Sequence, residues 1–201
     1  DTTGQPSSGG RVSADDNAIR IKPSAPFKQG ESATWTFTYS GAFDNNAKEN
    51  GNAVAVQLAS IGEPVSYLLY AAHWFPTTKS MMDRFTATVH VHVPAGERVF
   101  GSGAINGPAA GALHTDKNGL MVFDFDWPRP GFPGTIIAGK FSEIETSDVK
   151  ANVRVYRMDN KSSTQQINGS EYAALAWQEY NYFASQFGPA DSNRLNVVEL
   201  P

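Results

Sequence analysis

Apolar and polar residues alternate with a period of two along much of this chain. The clearest case is residues 33–40, ATWTFTYS, which place Trp35, Phe37 and Tyr39 on one face and threonines on the other. Because successive side chains of a strand point to opposite sides, this alternation predicts a half-buried strand with Trp35 in the core. Similar patterns predict further strands within residues 52–58, 84–94, 119–128, 135–141 and 147–158.

The spacing of these segments predicts the fold class. About eight short strands separated by turn-forming residues are typical of an antiparallel sandwich or a saddle-shaped pair of sheets. Residues 66–76, SYLLYAAHWFP, are continuously apolar and fit either a buried strand or an irregular core segment. Residues 129–134, RPGFPG, are too rich in proline and glycine for regular structure. We therefore predict a mainly β protein, an antiparallel saddle-like β-sandwich.

A helical period replaces the alternation over residues 170–187. Ser170 suits the N-cap position, Glu171 lies favourably in the first turn, and Gly188 followed by Pro189 ends the helix. A short strand within residues 194–201 closes the chain. The predicted buried face of the helix consists of apolar residues at steps of three and four: Tyr172, Ala176, Tyr180, Phe183 and Phe187.

These patterns predict three parts of the chain. Residues 1–17 begin with DTTGQPSSGG and form a flexible polar lead-in. Residues 18–160 form the β-sandwich domain. Residues 161–201 hold a linker, the helix and the last strand, an arrangement that indicates the start of another domain. The first residue is Asp rather than Met, so we expect a processed or excised chain.

Composition excludes several classes of function. The chain has 16 basic and 20 acidic residues and a formal charge of −4, without the basic stripe that nucleic-acid binding requires. No apolar run approaches the roughly 20 residues of a membrane-spanning helix. Cysteine is absent, which removes disulfides, thiolate zinc sites and cysteine nucleophiles.

His90 and His92 share the outward face of one predicted strand, at a spacing that some zinc sites use. A catalytic zinc needs three protein ligands and a water, and neither His73 nor His114 belongs to a recognisable ligand motif. Thr86 and its neighbours continue the same polar face. A solvated strand surface therefore explains these histidines better than a metal site.

Two further motifs have a functional and a structural interpretation. Asp124 and Asp126 form a D-x-D pair that can hold a nucleotide-bound cation, but they also fit the polar face of a strand. GSGAINGPAAG, residues 101–111, resembles a phosphate loop but lacks the G-K-[ST] ending, which favours a loop between strands. The sequence contains neither the G-x-S-x-G nucleophile elbow nor H-E-x-x-H, so we assign no catalytic, cofactor-binding or metal-binding residue.

Aromatic and asparagine residues offer other binding hypotheses. Trp74 or Trp127 could provide a stacking platform for sugars, whereas Trp177 falls beside the apolar face of the predicted helix. Asn160 and Asn168 begin N-x-S patterns that are N-glycosylation acceptors on a eukaryotic secretory route.

Several stretches, in order, resemble the amino-terminal domain of the M1 family of zinc aminopeptidases. In residues 67–96, an aromatic-proline pair, Phe75-Pro76, precedes a loop, then Arg84, Thr86 and a strand ending in Val93-Pro94-Ala95-Gly96. Residues 131–145, GFPGTIIAGKFSEIE, are similar to the strand before that domain's last hairpin. Residues 33–41 fit an early strand, and residues 171–201 are similar to the helix and strand that lead into the catalytic domain. The resemblance covers the chain from about Ala18 onward.

The chain departs from the family pattern in two places. The loop after the aromatic-proline pair reads cysteine, aromatic, Asp-Glu-Pro in well-known active members, but residues 77–81 are TTKSM here. The family's Gln or Glu for the substrate amino group corresponds to a position near Val65, with Glu63 two residues away, and we assign the role to neither. The family's G-x-M-E-N and H-E-x-x-H motifs would follow Pro201.

The resemblance implies a non-catalytic domain that packs on a catalytic domain and walls its substrate cleft. The parent protein would be a zinc-dependent aminopeptidase or an inactive relative, with zinc bound outside this chain and peptide substrate at the domain interface. The polar lead-in and the absence of cysteine are compatible with a secreted or periplasmic bacterial protein. Two alternatives remain open: a stand-alone β-sandwich that binds carbohydrate or protein, and a cell-surface adhesion module.

Overall fold

The computed structural model describes residues 11–15, 18–41, 57–78, 83–106, 114–146, 152–159, 168–190 and 194–201. The chain divides into two compact units, Asp1–Ala42 and Phe43–Pro201. The predicted division at residues 17 and 160 stays a prediction. The predicted strand within residues 52–58 falls mostly on positions that this description leaves out.

The first unit contains an antiparallel hairpin. β1 (Arg11–Asp15) pairs with β2 (Ala18–Lys22) along its whole length. Residues 31–41, by contrast, carry no strand, and Trp35 is 50% exposed. The predicted half-buried strand at residues 33–40 and the core position of Trp35 are therefore wrong in this structure. A period of two selects the face that a strand would present, but a strand also needs a neighbour for its backbone hydrogen bonds, and no described segment pairs with this one.

The second unit is built from β-strands followed by one helix and a last strand within its described residues. Its first sheet has the order β3-β4-β10-β6, its second has the order β5-β9-β7 with β8 also on β9, and its third has the order β11-β12-β13. All described pairs are antiparallel except β12 with β13. The bounds are β3 (Ala59–Ser60), β4 (Val65–Leu68), β5 (Phe85–Val93), β6 (Arg98–Gly101), β7 (Ala104–Asn106), β8 (His114–Thr115), β9 (Met121–Gly131), β10 (Ile136–Gly139), β11 (Phe141–Ile144), β12 (Val153–Met158), α1 (Gly169–Phe187) and β13 (Leu195–Val198).

The first sheet is covered on both faces. Ile136 and Ala138 of β10 pack in one core with Val99 of β6 and with Phe123 and Phe125 of β9. The intervening Ile137 faces the opposite way and contributes to a second core, whose buried members are Val65, Tyr67, Phe141, Tyr156 and Met158. A strand between two cores needs apolar residues on both sides, which explains the continuous apolar run TIIAG. The predicted mainly β, antiparallel fold class is confirmed.

β9 is longer than the sequence predicts. It continues through Pro128 and Pro130 to Gly131, where it pairs with Phe85 of β5. The prediction that residues 129–134 cannot be regular structure is therefore wrong for their first half. Among the described strands, β7 flanks β9 only at residues 124–126, so the proline positions lie where β9 has a single neighbour. Proline is tolerated at such an edge because a missing N–H there breaks no ladder bond.

Two further segments contain regular structure: one for which the sequence left two interpretations open, and one that was predicted as a loop. The apolar segment at residues 66–76 combines both interpretations, since β4 is followed by a 3-10 turn over Tyr70–Ala72. The predicted loop at residues 101–111 contains β7, and its remaining residues lie beyond the part that the structure describes.

α1 begins earlier than predicted and packs through a different face. Its N-cap is Asn168, whose Oδ1 accepts a hydrogen bond from the Glu171 backbone N–H at 3.3 Å, so the assignment of Ser170 is wrong. Gly188 ends the helix with φ 87°, as predicted. The third core joins Ala173, Ala176 and Trp177 of α1 to β12 and β13. Of the predicted buried face, Tyr172, Phe183 and Phe187 are instead exposed.

The inner face of α1 is selected by size. Ala173 is fully buried, and a Cβ on Gly169 would come within 2.7 Å of Ile144 Cγ2. Small residues allow the helix to approach β12 closely, whereas the bulky residues of the predicted face would hold it away. The volume at positions 169 and 173, which a hydrophobicity pattern ignores, therefore sets how closely the start of α1 approaches the sheet.

Candidate functional site

The outward face of β5 and β9 carries three polar pairs. Thr88 Oγ1 donates a hydrogen bond to Asp126 Oδ1 at 2.9 Å, and His90 Nδ1 lies 2.6 Å from Asp124 Oδ1. Both pairs stand directly opposite each other in the antiparallel register. The two strand motifs, H-x-H and D-x-D, are thus two sides of one set of contacts, which we call the polar ladder.

The third pair of the polar ladder joins β5 to the turn before β9. His92 Nδ1 lies 2.8 Å from Asp116 Oδ2, and Asp116 Oδ1 accepts hydrogen bonds from the backbone N–H groups of Asn118 and Leu120. The hydrogen bond from His92, followed by the one from Leu120, lowers the pKa of Asp116. These contacts make Asp116 the anchor of a turn.

The polar ladder does not bring a metal site together. Among residues that the structure describes, no group of three or more His, Cys, Asp or Glu side chains could hold a metal ion. Asp124 and Asp126 each engage a cross-strand partner, His90 and Thr88, instead of converging on one point. This geometry favours the solvated strand surface over both the zinc and the nucleotide-cation hypotheses.

An aromatic corner precedes β5. The Trp74 indole Nε1–H donates to the Gly134 carbonyl at 2.7 Å, and the Trp74 ring meets Phe75 edge-on at a centroid distance of 4.8 Å. Phe75 in turn contacts Phe85, the first residue of β5. Trp74 is half-buried and packs on the first core. These contacts make Trp74 part of the framework of the first core.

The corner turns on a residue in a left-handed conformation. His73 has φ 49° and ψ 42°, and its backbone N–H donates to the Tyr70 carbonyl at 3.1 Å. Trp127 stands close to Gly131, where a Cβ would lie 2.6 Å from the indole Nε1. The Trp127 ring therefore leaves no room for a side chain at position 131.

The region near Val65 carries charge but no recognisable amine-binding site. Val65 is buried in the second core, which excludes it from contact with a ligand. Glu63 is exposed and lies near Glu97, whose pKa is raised by burial and then by Glu63, with Lys140 acting in the opposite direction. These charged groups gather at one end of the first sheet, where Val65, Gly139 and Arg98 stand in register.

α1 presents a second apolar face that the sequence analysis did not separate from the first. Tyr182 and Phe183 meet edge-on at 5.5 Å, and Phe183 stacks with Phe187 at 6.4 Å. A shallow open groove of about 270 Å³ is lined by Leu175, Gln178, Glu179, Tyr182 and Phe183. We call the exposed set the outer face of α1: Tyr172 (51% exposed), Leu175 (53%), Tyr182 (62%), Phe183 (53%) and Phe187 (82%).

A pattern in the sequence could have revealed this outer face. Residues 172, 175, 179, 182 and 186 recur at steps of three and four, with Phe183 next to Tyr182, parallel to the inner set at 169, 173, 176, 180 and 184. Two interleaved stripes on one helix indicate two contact surfaces. No helix within the described ranges is long and apolar enough to cross a membrane.

The remaining candidates from the sequence lie on exposed strand and loop positions, at the start of α1, or outside the described residues. His114 begins β8 and is exposed, and Thr77 and Thr78 of the substituted loop are exposed, while residues 79–81 are not described. Of the two glycosylation patterns, Asn168 is the N-cap of α1, and Asn160 falls on a position that is not described.

Comparison with solved structures gives this fold a class. The chain is similar to an M1 zinc metallopeptidase from Deinococcus radiodurans, with 19% identity and a TM-score of 0.62 over 96% of this chain and 44% of the other. A two-domain M1 zinc metallopeptidase mutant bound to L-arginine matches with 18% identity, a TM-score of 0.62 and the same coverage. A mutant of the Deinococcus radiodurans enzyme bound to a Tyr-Ser-Ala substrate matches at 18% identity and a TM-score of 0.60.

The similarity is one of fold and of part of a longer chain. The described chain spans less than half the length of these M1 zinc metallopeptidases, which confirms at the level of fold the resemblance seen in the sequence. At the sequence level, neither a family model nor a curated protein matches.

Proposed function

We propose that this chain is the non-catalytic amino-terminal domain of an M1 metallopeptidase-like protein. The observation that carries the proposal is the asymmetric coverage: 96% of this chain matches, but only 44–47% of each similar metallopeptidase is accounted for. The order of the elements agrees with the order that the resemblance in the sequence implies, because a β-rich region is followed by one helix and one strand. The domain supports chemistry that other residues perform.

Zinc belongs to the remainder of such a protein. The described part of this chain offers no group of three ligands, so it does not fit a catalytic zinc site. In the parent protein a zinc ion would lower the pKa of a bound water and polarise the substrate carbonyl. The residues of this chain would contribute shape to one wall of the substrate cleft.

A peptidase assay tests the proposal. The 201-residue chain with zinc added should release no product from aminoacyl-anilide substrates, and the longer protein that continues beyond Pro201 should release product. A chelator should abolish that release. Zinc-dependent turnover by the pure 201-residue chain would contradict the proposal, and so would a gene whose product ends at Pro201.

A binding module is the second candidate, because the first unit exposes aromatic rings. Phe27 and Trp35 meet edge-on at 6.2 Å, and both are about half exposed. Titration of the chain with oligosaccharides, followed by Trp fluorescence, distinguishes the candidates. A saturable change that Trp35→Ala removes would support carbohydrate binding.

We also expect a secreted or periplasmic location, which fractionation of the source cells tests.

A further inference from the structure

We infer that the outer face of α1 is the surface that receives the catalytic domain, the polypeptide that follows Pro201 in the longer protein. This inference rests on the proposed function, because it requires a domain beyond this chain. It goes further by assigning the contact to one face of one helix. Its key residues are Leu175, Tyr182 and Phe183.

The outer face is apolar beyond what a surface helix needs. α1 already buries one stripe against β12 and β13, which is sufficient to hold an amphipathic helix on a domain. A second stripe with Leu175, Tyr182 and Phe183 more than half exposed adds nothing to that packing. Contiguous exposed apolar residues of this kind mark interaction surfaces.

The shape of the outer face favours a macromolecular partner. Its groove is open, holds about 270 Å³ and is lined by side chains of a single helix, whereas small-molecule sites are enclosed and larger, roughly 300–1,000 Å³. Glu179 is the one acidic residue among the five that line it. A row of ring and leucine side chains along a helix fits the apolar surface of a packed domain.

The sequence of α1 disfavours a lipid surface. Helices that lie on membranes carry Lys and Arg on their polar side to bind anionic headgroups. Residues 169–187 of α1 contain neither Lys nor Arg. A membrane is therefore a poor occupant for the outer face.

The length of the similar metallopeptidases favours one occupant, a domain that follows the last strand. β13 is the edge strand of the third sheet among the described strands, and it packs against α1 through Leu195 and Val197. Val198 and Leu200 are held in the second core, and the Glu199 backbone N–H donates to Tyr156 at 3.0 Å. The last strand therefore packs on the same sheet as α1, and its final residues contact the second core. The similar metallopeptidases extend for more than half of their length outside the matched region.

Cysteine labelling tests the inference, because the 201-residue chain contains no cysteine. Leu175→Cys places a thiol on the outer face, and Ala174→Cys places a matched thiol on the neighbouring exposed position, about 100° around the helix. Alkylation rates at the two positions are measured by mass spectrometry of the α1 peptide, in the 201-residue chain and in the longer protein. Circular dichroism verifies that each variant folds.

We expect both thiols to react at similar rates in the 201-residue chain. In the longer protein, the thiol at position 175 should react at least about tenfold more slowly, while the rate at position 174 should change by less than about threefold. Equal rates at both positions in the longer protein overturn the inference. Protection of position 175 that already exists in the 201-residue chain and grows with protein concentration also overturns it, because a second copy would then be the occupant.

The peptidase assay on the same longer protein separates this inference from the proposed function. An active enzyme with a reactive thiol at position 175 would support the proposed function but refute the inference that the outer face of α1 is covered by the catalytic domain. A protected thiol at position 175 in a protein without zinc-dependent peptidase activity would support the inferred contact of α1 but contradict the proposed function.

Discussion

His90 Nδ1 and Asp124 Oδ1 lie 2.6 Å apart across the antiparallel pair β5–β9. This contact joins the two motifs that most strongly suggested a metal or nucleotide site. The histidine side chain is 61% exposed and the aspartate 21% exposed, so the pair stands on a solvated face. Its role is to stabilise the pairing of two strands.

A double-mutant cycle measures this contact. His90→Ala and Asp124→Ala should each lower the free energy of unfolding, with a coupling of about 0.2–1 kcal/mol, because exposed cross-strand pairs contribute little. Urea denaturation of the two single variants and the double variant gives the coupling. The control cycle pairs His90→Ala with Asp159→Ala, a residue in the turn after β12, and should show no coupling. A loss of bound zinc in His90→Ala would instead indicate a metal site.

Asp116 should make stability depend on pH. Its folded pKa lies below the ordinary value of 3.8, so its contribution is present above that value and is lost as pH falls through the folded pKa. Asp116→Asn should therefore lower the melting temperature at pH 7, and the difference from the unmodified protein should shrink toward about pH 2.

The neighbouring Lys117 provides the control for this pH dependence. It is exposed in the same turn, so Lys117→Gln should leave the melting temperature nearly unchanged over the same pH range. A pH-independent difference between Asp116→Asn and the unmodified protein would show that the carboxylate charge is unimportant to the turn. Differential scanning calorimetry at several pH values decides this.

Gly134 should tolerate alanine poorly because of the aromatic corner. Its φ is +132°, and an added Cβ would lie 2.6 Å from Phe75 Cε1. Gly134→Ala should lower the free energy of unfolding by about 2–4 kcal/mol, from backbone strain and overpacking together. The control is Gly119→Ala, at φ +81° with open space around it, which should cost only about 1 kcal/mol. Equal costs in chemical denaturation would contradict the proposed contact with Phe75.

Neighbouring alanines on α1 test which face is buried. Ala173 is fully buried against β12 and β13, and Ala174 is exposed. Ala173→Leu should destabilise the chain by about 1–3 kcal/mol through overpacking, whereas Ala174→Leu should change stability by less than about 0.5 kcal/mol. Thermal unfolding followed by circular dichroism measures both. The reverse ranking would contradict the burial of Ala173 against β12 and β13.

Local periodicity determined much of this protein before any tertiary information. The alternation over β5 agrees residue by residue with the structure, with Thr86, Thr88, His90 and His92 exposed and Val93 buried. The helix and its Gly188 terminus were also predictable. These features depend on which way neighbouring side chains point along one segment, and that direction follows from backbone geometry alone.

Tertiary structure decided the features that depend on distant residues. Residues 33–40 have the pattern of a strand but no described ladder partner, and β9 runs through two prolines because it has one neighbour there. The pairing of His90 with Asp124 depends on a register between segments 34 residues apart. The close approach of α1 to the sheet depends on the small volume of Ala173 against β12 and of Gly169 against Ile144. Strand partners, register and close packing are set by contacts across the fold, which a pattern within one segment does not contain.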